Sequence, residues 1–308
     1  MPARKVPHIL KLSPQEQKEF VNSFDVVMCD CDGVMWMATS PIPRTGEAVN
    51  ALKAAGKQVH FVSNNSMRSE EEYVNKFTEI GMMDFEANDI MHPVKSMLYY
   101  MKKHNIKQPV YSLCSGPGNE TLRRGGVDVR TLTVKEGVDF FNLEKITEPE
   151  QKMGAVLFDG NLEMNYVQVA MAVRYLADND CDFLMGATEP VFQLREGLMF
   201  PGLNDFYYAI KRSTGREATI VGKPALLLGD ILKDVYKLTD PKRCLFVGDS
   251  LSHDVRFGLN CGFQTLLVLS GSTPIDEMWQ ASAEDQPHFY ADSMADFIEL
   301  YANISKNA

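Results

Sequence analysis

The sequence predicts an α/β protein in which an open parallel sheet carries a second, inserted α/β unit. Three observations predict it. Short apolar runs recur at residues 25–29, 58–62, 218–221, 244–247 and 265–269. Runs that are apolar on successive residues suit strands buried on both faces of a parallel sheet. Amphipathic stretches at 45–55, 69–80, 225–236 and 254–260 fall among these runs and read as helices, and strand–helix alternation marks parallel α/β layers. The middle of the chain repeats the pattern by itself, with strands at 110–114, 127–132, 155–158 and 183–185 and helices at 121–124 and 166–177.

Local chemistry supports the boundaries. Ser69 followed three residues on by Glu72 reads as a capping box. Gly56 and Gly81 stand where helix C-caps belong. The expected core is residues 1–97 and 208–308, and the inserted unit is 98–207, with joints near 95–103 and 202–205. The charged stretch 144–152 reads as a solvated connection.

Composition narrows the function. The 308 residues are 45% hydrophobic and 23% charged, ordinary globular material for about two domains. The net charge of −10 argues against a nucleic-acid partner. It also means that a site for an anionic substrate must build its own positive potential from backbone N–H groups, a lysine or a metal. No apolar run approaches the roughly 20 residues of a membrane helix, and the basic N-terminus lacks the apolar segment of a signal peptide. The six cysteines, Cys29, Cys31, Cys114, Cys181, Cys244 and Cys261, mostly sit in apolar runs and read as reduced core thiols of a cytoplasmic protein. Cys29 and Cys31 have no second pair at zinc spacing.

Four segments carry chemistry, each just after an expected strand, where open α/β sheets build their sites. The first is DCDGVMW at 30–36. Asp30 and Asp32, at i and i+2 of an extended chain, face one side about 6–7 Å apart, and two such carboxylates need a cation or a shared proton. Gly33 permits a sharp turn beneath them. The alternative is a surface turn. The second, FVSNNSMRS at 61–69, offers Ser63, Asn64 and Asn65 as donors to a phosphate oxygen. Its alternative is a helix N-cap or plain turn. The third is VGKP at 221–224, in which Lys223 supplies a compact charge without the spacing of a P-loop. Its side chain is expected to serve chemistry more than folding. The fourth, CLFVGDSLSHD at 244–254, places Asp249 to complete an oxygen-ligand Mg²⁺ site and Asp254 to hold a ligand, a water or Lys223. The alternative for Asp254 is the N-cap of the following helix.

In this order and context the four segments resemble the motifs of the haloacid dehalogenase superfamily. DCDGVMW and FVSNNSMRS look like the branch containing 4-nitrophenylphosphatase, phosphoglycolate phosphatase and pyridoxal phosphatase. The resemblance runs from about Ser13 to about Tyr301. It implies a Rossmann-like core with a large α/β cap between the second and third motifs, and a phosphatase of small phosphorylated metabolites. Asp30 is implied as nucleophile and Asp32 as proton donor and acceptor. Mg²⁺ is implied on the side chains of Asp30 and Asp249 and the main-chain carbonyl of Asp32. Ser63 and Lys223, with Asn64 and Asn65 in support, are implied as phosphate ligands, and Asp254 as their neighbour. A homodimer through the cap is suggested by the same likeness.

Two other readings stand beside this one: a silent fold that binds metabolites or proteins, and a phosphoprotein phosphatase. Intact motif residues argue against the first, and a large cap against the second. The stretch 110–118 begins like a dinucleotide fingerprint, but Thr121 holds the third glycine position and a turn of the inserted unit is expected. His253 invites a metal role, yet Mg²⁺ prefers oxygen. Finally, the loop from Thr188 to Asp205 departs from the branch's pattern at Glu189, Val191 and Asn204. Phe192, Leu194 and Met199 make it apolar, and Arg195 is its local cation. It is expected either to favour apolar leaving groups or to pack within the cap.

Overall fold

The computed structural model describes residues 6–133, 137–186, 191–195 and 198–306. The described residues form two compact units. One is drawn from Met1–Ser63, Glu71–Met91 and Lys223–Ala308, the other from Asn64–Glu70 and His92–Gly222.

The first unit opens with α1 (Pro14–Asn22), closed at its start by Ser13 and Glu16, each accepting from the other's backbone N–H. It continues through β1 (Val26–Cys29), a small ribbon of β2 (Trp36–Met37) and β3 (Ser40–Pro41), α2 (Thr45–Ala54), β4 (Gln58–Val62), α3 (Glu70–Glu79) and β5 (Ile90–Met91). The second unit holds α4 (Pro93–Lys103), β6 (Val110–Leu113), α5 (Gly116–Arg124), β7 (Val129–Arg130), α6 (Leu143–Ile146), β8 (Ala155–Phe158), α7 (Tyr166–Tyr175) and β9 (Asp182–Met185). An antiparallel ribbon of β10 (Val191–Arg195) and β11 (Leu198–Pro201), then α8 (Asn204–Thr214) and β12 (Thr219–Ile220), complete it. The chain returns to the first unit for α9 (Leu226–Val235), β13 (Cys244–Gly248), α10 (Arg256–Cys261), β14 (Gln264–Val268), α11 (Ile275–Gln280), β15 (Phe289–Ala291) and α12 (Asp296–Lys306).

Each unit is built on a parallel sheet. The first runs β15-β14-β13-β1-β4-β5 and the second β12-β9-β8-β6-β7. Strand periodicity sorts the side chains. Val27, Cys29, Leu245, Val247, Leu266 and Val268 join one apolar cluster with Phe20, Phe24 and Phe297, while Leu267 faces the other way, with Val255 and Met278. Each such fully buried side chain contributes about 1.5–3 kcal/mol. In the second unit Leu113, Val156, Phe158, Phe183 and Met185 pack with Ala172 of α7 and Ile210 of α8.

The structure corrects the expected organisation in two places. The run at 218–221 pairs, as Thr219–Ile220, with β9 of the second sheet, not with the first. The expected joints at 97/98 and 207/208 fall inside α4 and α8. Both helices bury a stripe, through Val94, Met97 and Met101 and through Tyr207 and Ile210, so a boundary within either would split a hydrogen-bonded, packed element. All six cysteines are free and buried. Among the described residues no helix is long and apolar enough to cross a membrane. Thr188, Glu189 and the side chains of Phe192, Leu194 and Arg195 lie outside the described residues. Met199 is 54% exposed, so it is not packed into a core.

Candidate active site

Asp30 and Asp249 leave the C-terminal ends of the first unit's central strands, where the loops of an open parallel sheet diverge, and Lys223 joins them from the segment after β12. Asp30 follows β1 directly and is tied to the next strand, its N–H donating to the Val247 carbonyl at 2.8 Å. Asp249 follows β13. Lys223 Nζ lies 2.8 Å from Asp30 Oδ1 and 2.8 Å from Asp254 Oδ1. The second Asp254 oxygen accepts from the N–H groups of Asp249 and Ser250, both at 3.1 Å. Asp254 therefore faces back into the site. The N-cap alternative does not hold, because Ser250 takes that position and accepts from His253 N–H at 3.3 Å, ahead of a π-helical turn at Leu251–Val255. Carboxylate oxygens of Asp30, Asp249 and Asp254 lie within 4.8 Å of one another.

Asp32 is oriented separately. Its Oδ1 accepts from Trp36 Nε1 at 3.0 Å, and the fully buried indole is wedged against Tyr73 and Phe77. Directly after Asp32, Gly33 adopts φ +86°, and a Cβ there would stand 2.4 Å from Asp249 Cγ. Only glycine tolerates both that backbone and that approach. Ser270 Oγ donates to the Gly33 carbonyl at 2.8 Å. Ser272 N–H donates to Asp249 Oδ2 at 2.6 Å, and Thr273 N–H to the Asp249 carbonyl at 3.2 Å. Sequence reasoning missed Trp36 and the 270–273 loop. A signal existed for the loop, since it too follows an expected strand and is rich in Ser, Gly and Thr.

Ser63 ends β4. Its N–H donates to the Met91 carbonyl at 3.0 Å and its Oγ accepts from Tyr73 Oη at 3.3 Å. Asn64 and Asn65 belong to the second unit, where Asn65 Oδ1 accepts from Met67 N–H at 2.9 Å. His253 Nδ1 lies 3.2 Å from the hydroxyls of Ser250 and Ser252.

Burial dominates the electrostatics. It pushes the Asp30 carboxyl well above the carboxylate range, a rise that Lys223 opposes and Asp254 and Asp249 reinforce. Burial, then Asp254, push Asp249 up to about 6. Burial alone would lower Lys223, but Asp254 and Asp30 outweigh it and hold the ammonium above its usual range. Burial raises Cys29 and Cys31, with Asp30 adding to it, so both thiols stay protonated and neither offers a thiolate. Three clustered carboxylates share one lysine, and a set of hard oxygen donors short of positive charge fits Mg²⁺.

A parallel sheet with carboxylates at its strand ends and a lysine bridging them defines a class, and similar proteins name it. A family model described as Haloacid dehalogenase-like hydrolase matches residues 27–128, and one described as HAD-hydrolase-like matches 220–297. The chain is 34% identical over 299 residues to a 4-nitrophenylphosphatase of Schizosaccharomyces pombe, covering 93% of this chain and 97% of that protein. It is 28% identical to phosphoglycolate phosphatase 2 of Arabidopsis thaliana, covering 94% and 97%. The solved p-nitrophenyl phosphatase of Archaeoglobus fulgidus superposes with a TM-score of 0.76 at 25% identity, covering 90% of this chain and 99% of that one. The chain belongs to the haloacid dehalogenase-like hydrolase family, and within it to the phosphatases.

Proposed function

We propose that the chain hydrolyses small phosphate monoesters with Mg²⁺ and carries the phosphoryl group transiently on Asp30. The observation that carries this reading is the buried cluster in which Lys223 bridges Asp30 and Asp254, with Asp249 beside them.

An Asp30 oxygen attacks phosphorus in line with the ester oxygen, and the P–O ester bond breaks as the aspartyl-phosphate forms. Asp32, aimed by Trp36, gives its proton to the departing oxygen, which leaves as the alcohol. Water then attacks the aspartyl-phosphate and gives a proton to Asp32. Inorganic phosphate departs, and both acids return to their starting states. Lys223 and Ser63 offset charge on the transferring oxygens. Asp30, Asp249 and the Asp32 carbonyl would hold Mg²⁺, which when bound supplies the positive charge that relieves carboxylate–phosphate repulsion. The substrates proposed are an aryl phosphate, or esters like phosphoglycolate or pyridoxal phosphate.

The test is release of 4-nitrophenol from 4-nitrophenyl phosphate with Mg²⁺ and after exhaustive chelation, together with mass spectrometry of trapped phosphoenzyme. Phosphate on Asp30 and silence after chelation are expected. Turnover that survives chelation, or phosphate on another residue, refutes the reading.

A further inference from the structure

The second unit's sheet has an order of its own. Along β7-β6-β8-β9-β12 the strands come second, first, third, fourth and fifth in the unit, with the β10–β11 ribbon standing apart. The winding thus reverses between β6 and β8. Open sheets of this order bind ligands beyond the C-terminal ends of the strands at that reversal. Here Ser115, which follows β6 and caps α5, and Asp159, which follows β8, edge the crevice.

The chain itself fills it. Ser66 Oγ donates to Asp159 Oδ2. The Ser66 carbonyl accepts from Ser115 Oγ at 3.0 Å, and the same Ser115 oxygen accepts from Gly118 N–H at 3.0 Å. Met67 lies over Gly160, where a Cβ would stand 2.8 Å from Met67 Cγ. Ser66, Ser115 and Asp159 are all buried. The glycine-bearing stretch 110–118, which begins like a nucleotide fingerprint, thus has its helix start engaged by residues of its own chain.

The filling segment begins at Asn64, the residue after Ser63. Gly222, the residue before Lys223, lies against it: a Cβ there would stand 3.0 Å from Asn64 Oδ1 and 2.7 Å from the Gly186 carbonyl. We infer that Asp159 and Ser115 are positioning residues: they hold Ser66 as an internal ligand of the second sheet and so fix the backbone of Asn64 and Asn65 in the turn that leaves the phosphate-binding Ser63. The inference rests on the phosphatase reading for the role of Ser63, and it reaches the reaction only through that turn.

The experiment compares Ser66→Ala, Asp159→Ala, the double variant and Asp159→Asn in the full chain. Hydrolysis of 4-nitrophenyl phosphate, inhibition by inorganic phosphate and amide exchange are measured on each. A turn that holds phosphate equally in ground and transition states predicts KM and the phosphate inhibition constant raised together by about tenfold, with kcat within about threefold of wild type. The double variant is no worse than Asp159→Ala alone, because that variant has already cut the Ser66 hydroxyl's link. Asp159→Asn, which keeps an acceptor oxygen, restores most of the loss. Exchange at 63–69 accelerates by about tenfold or more while that of β1 is unchanged. Unchanged exchange overturns the tether, and accelerated exchange with unchanged KM overturns its role in phosphate binding. A wild type that does not hydrolyse the ester refutes the phosphatase reading instead, and the positioning role falls with it while exchange still decides whether the tether exists.

Discussion

Replacing Lys223 with methionine removes a charge and keeps most of the stem. The lysine is 1% exposed, and its Nζ is 2.8 Å from both Asp30 and Asp254. Without it the buried Asp254 carboxylate and the largely buried Asp30 carboxylate lose the ammonium that lies between them. Removing one partner of a buried pair costs about 3–5 kcal/mol, because the remaining charge stays desolvated. One carboxyl can escape by binding a proton that the unfolded chain, at neutral pH, has already lost. A carboxyl whose folded pKa is raised makes stability fall as pH rises, by about 1.4 kcal/mol per unit above the unfolded value near 4. Urea unfolding in chelator should therefore show the variant about 3–5 kcal/mol less stable than wild type at pH 7, with a deficit that shrinks as the pH is lowered to about 5.5. Turnover with Mg²⁺ should drop by about 10²–10³-fold, the loss typical of one preorganised charge-stabilising donor. The sequence alone led to the opposite balance, with the lysine mattering to chemistry more than to folding. A variant as stable as wild type at pH 7 refutes the reasoning from burial and restores that expectation.

Gly33→Ala must move Asp249, whose Cγ lies 2.4 Å from the added carbon. Turnover should fall by about 10²-fold or more, with a weaker apparent Mg²⁺ affinity in an activity titration; unchanged metal dependence would contradict it. Trp36→Phe deletes the 3.0 Å hydrogen bond that aims Asp32. Proton transfer matters most for poor leaving groups, so kcat on an alkyl phosphate should fall about tenfold further than on 4-nitrophenyl phosphate; equal losses on both would place Asp32 outside the proton path. His92 is buried, and burial, with Lys95 adding to it, lowers its pKa to about 3. The unfolded chain binds a proton there below about 6.5 that the folded chain refuses, so folding should weaken as pH falls, by about 2 kcal/mol at pH 5 from this residue. His92→Gln should flatten the stability profile between pH 6.5 and 5; an unchanged slope rules His92 out as its source.

Much of the first unit was legible because a parallel strand buried on both faces is an apolar run. Gln58–Val62 matches its expected bounds, and Val26–Cys29, Cys244–Gly248 and Gln264–Val268 lie within one residue of theirs. The acids were legible for the same reason, since Asp30 and Asp249 are the residues at which such runs end. Thr219–Ile220 shows the limit. Its run looks like any other strand, and pairing with β9 leaves no mark on the run itself. Trp36 could be read as core, but not as the donor to Asp32. The 270–273 loop reaches Gly33 and Asp249 from a distant part of the chain.

By itself the sequence determined which chemical groups this protein brings to its strand ends and in what order: Asp30, Asp32, Ser63, Lys223, Asp249 and Asp254. Strand period and backbone connectivity suffice for that, because both are local. The tertiary structure decided what those groups are electrically. Asp254 faces the lysine instead of capping a helix, Lys223 is buried between two carboxylates, and Asp249 is pushed up to about 6. Desolvation and Coulomb attraction act through space, and the distances they depend on exist only once segments far apart in the chain have packed together.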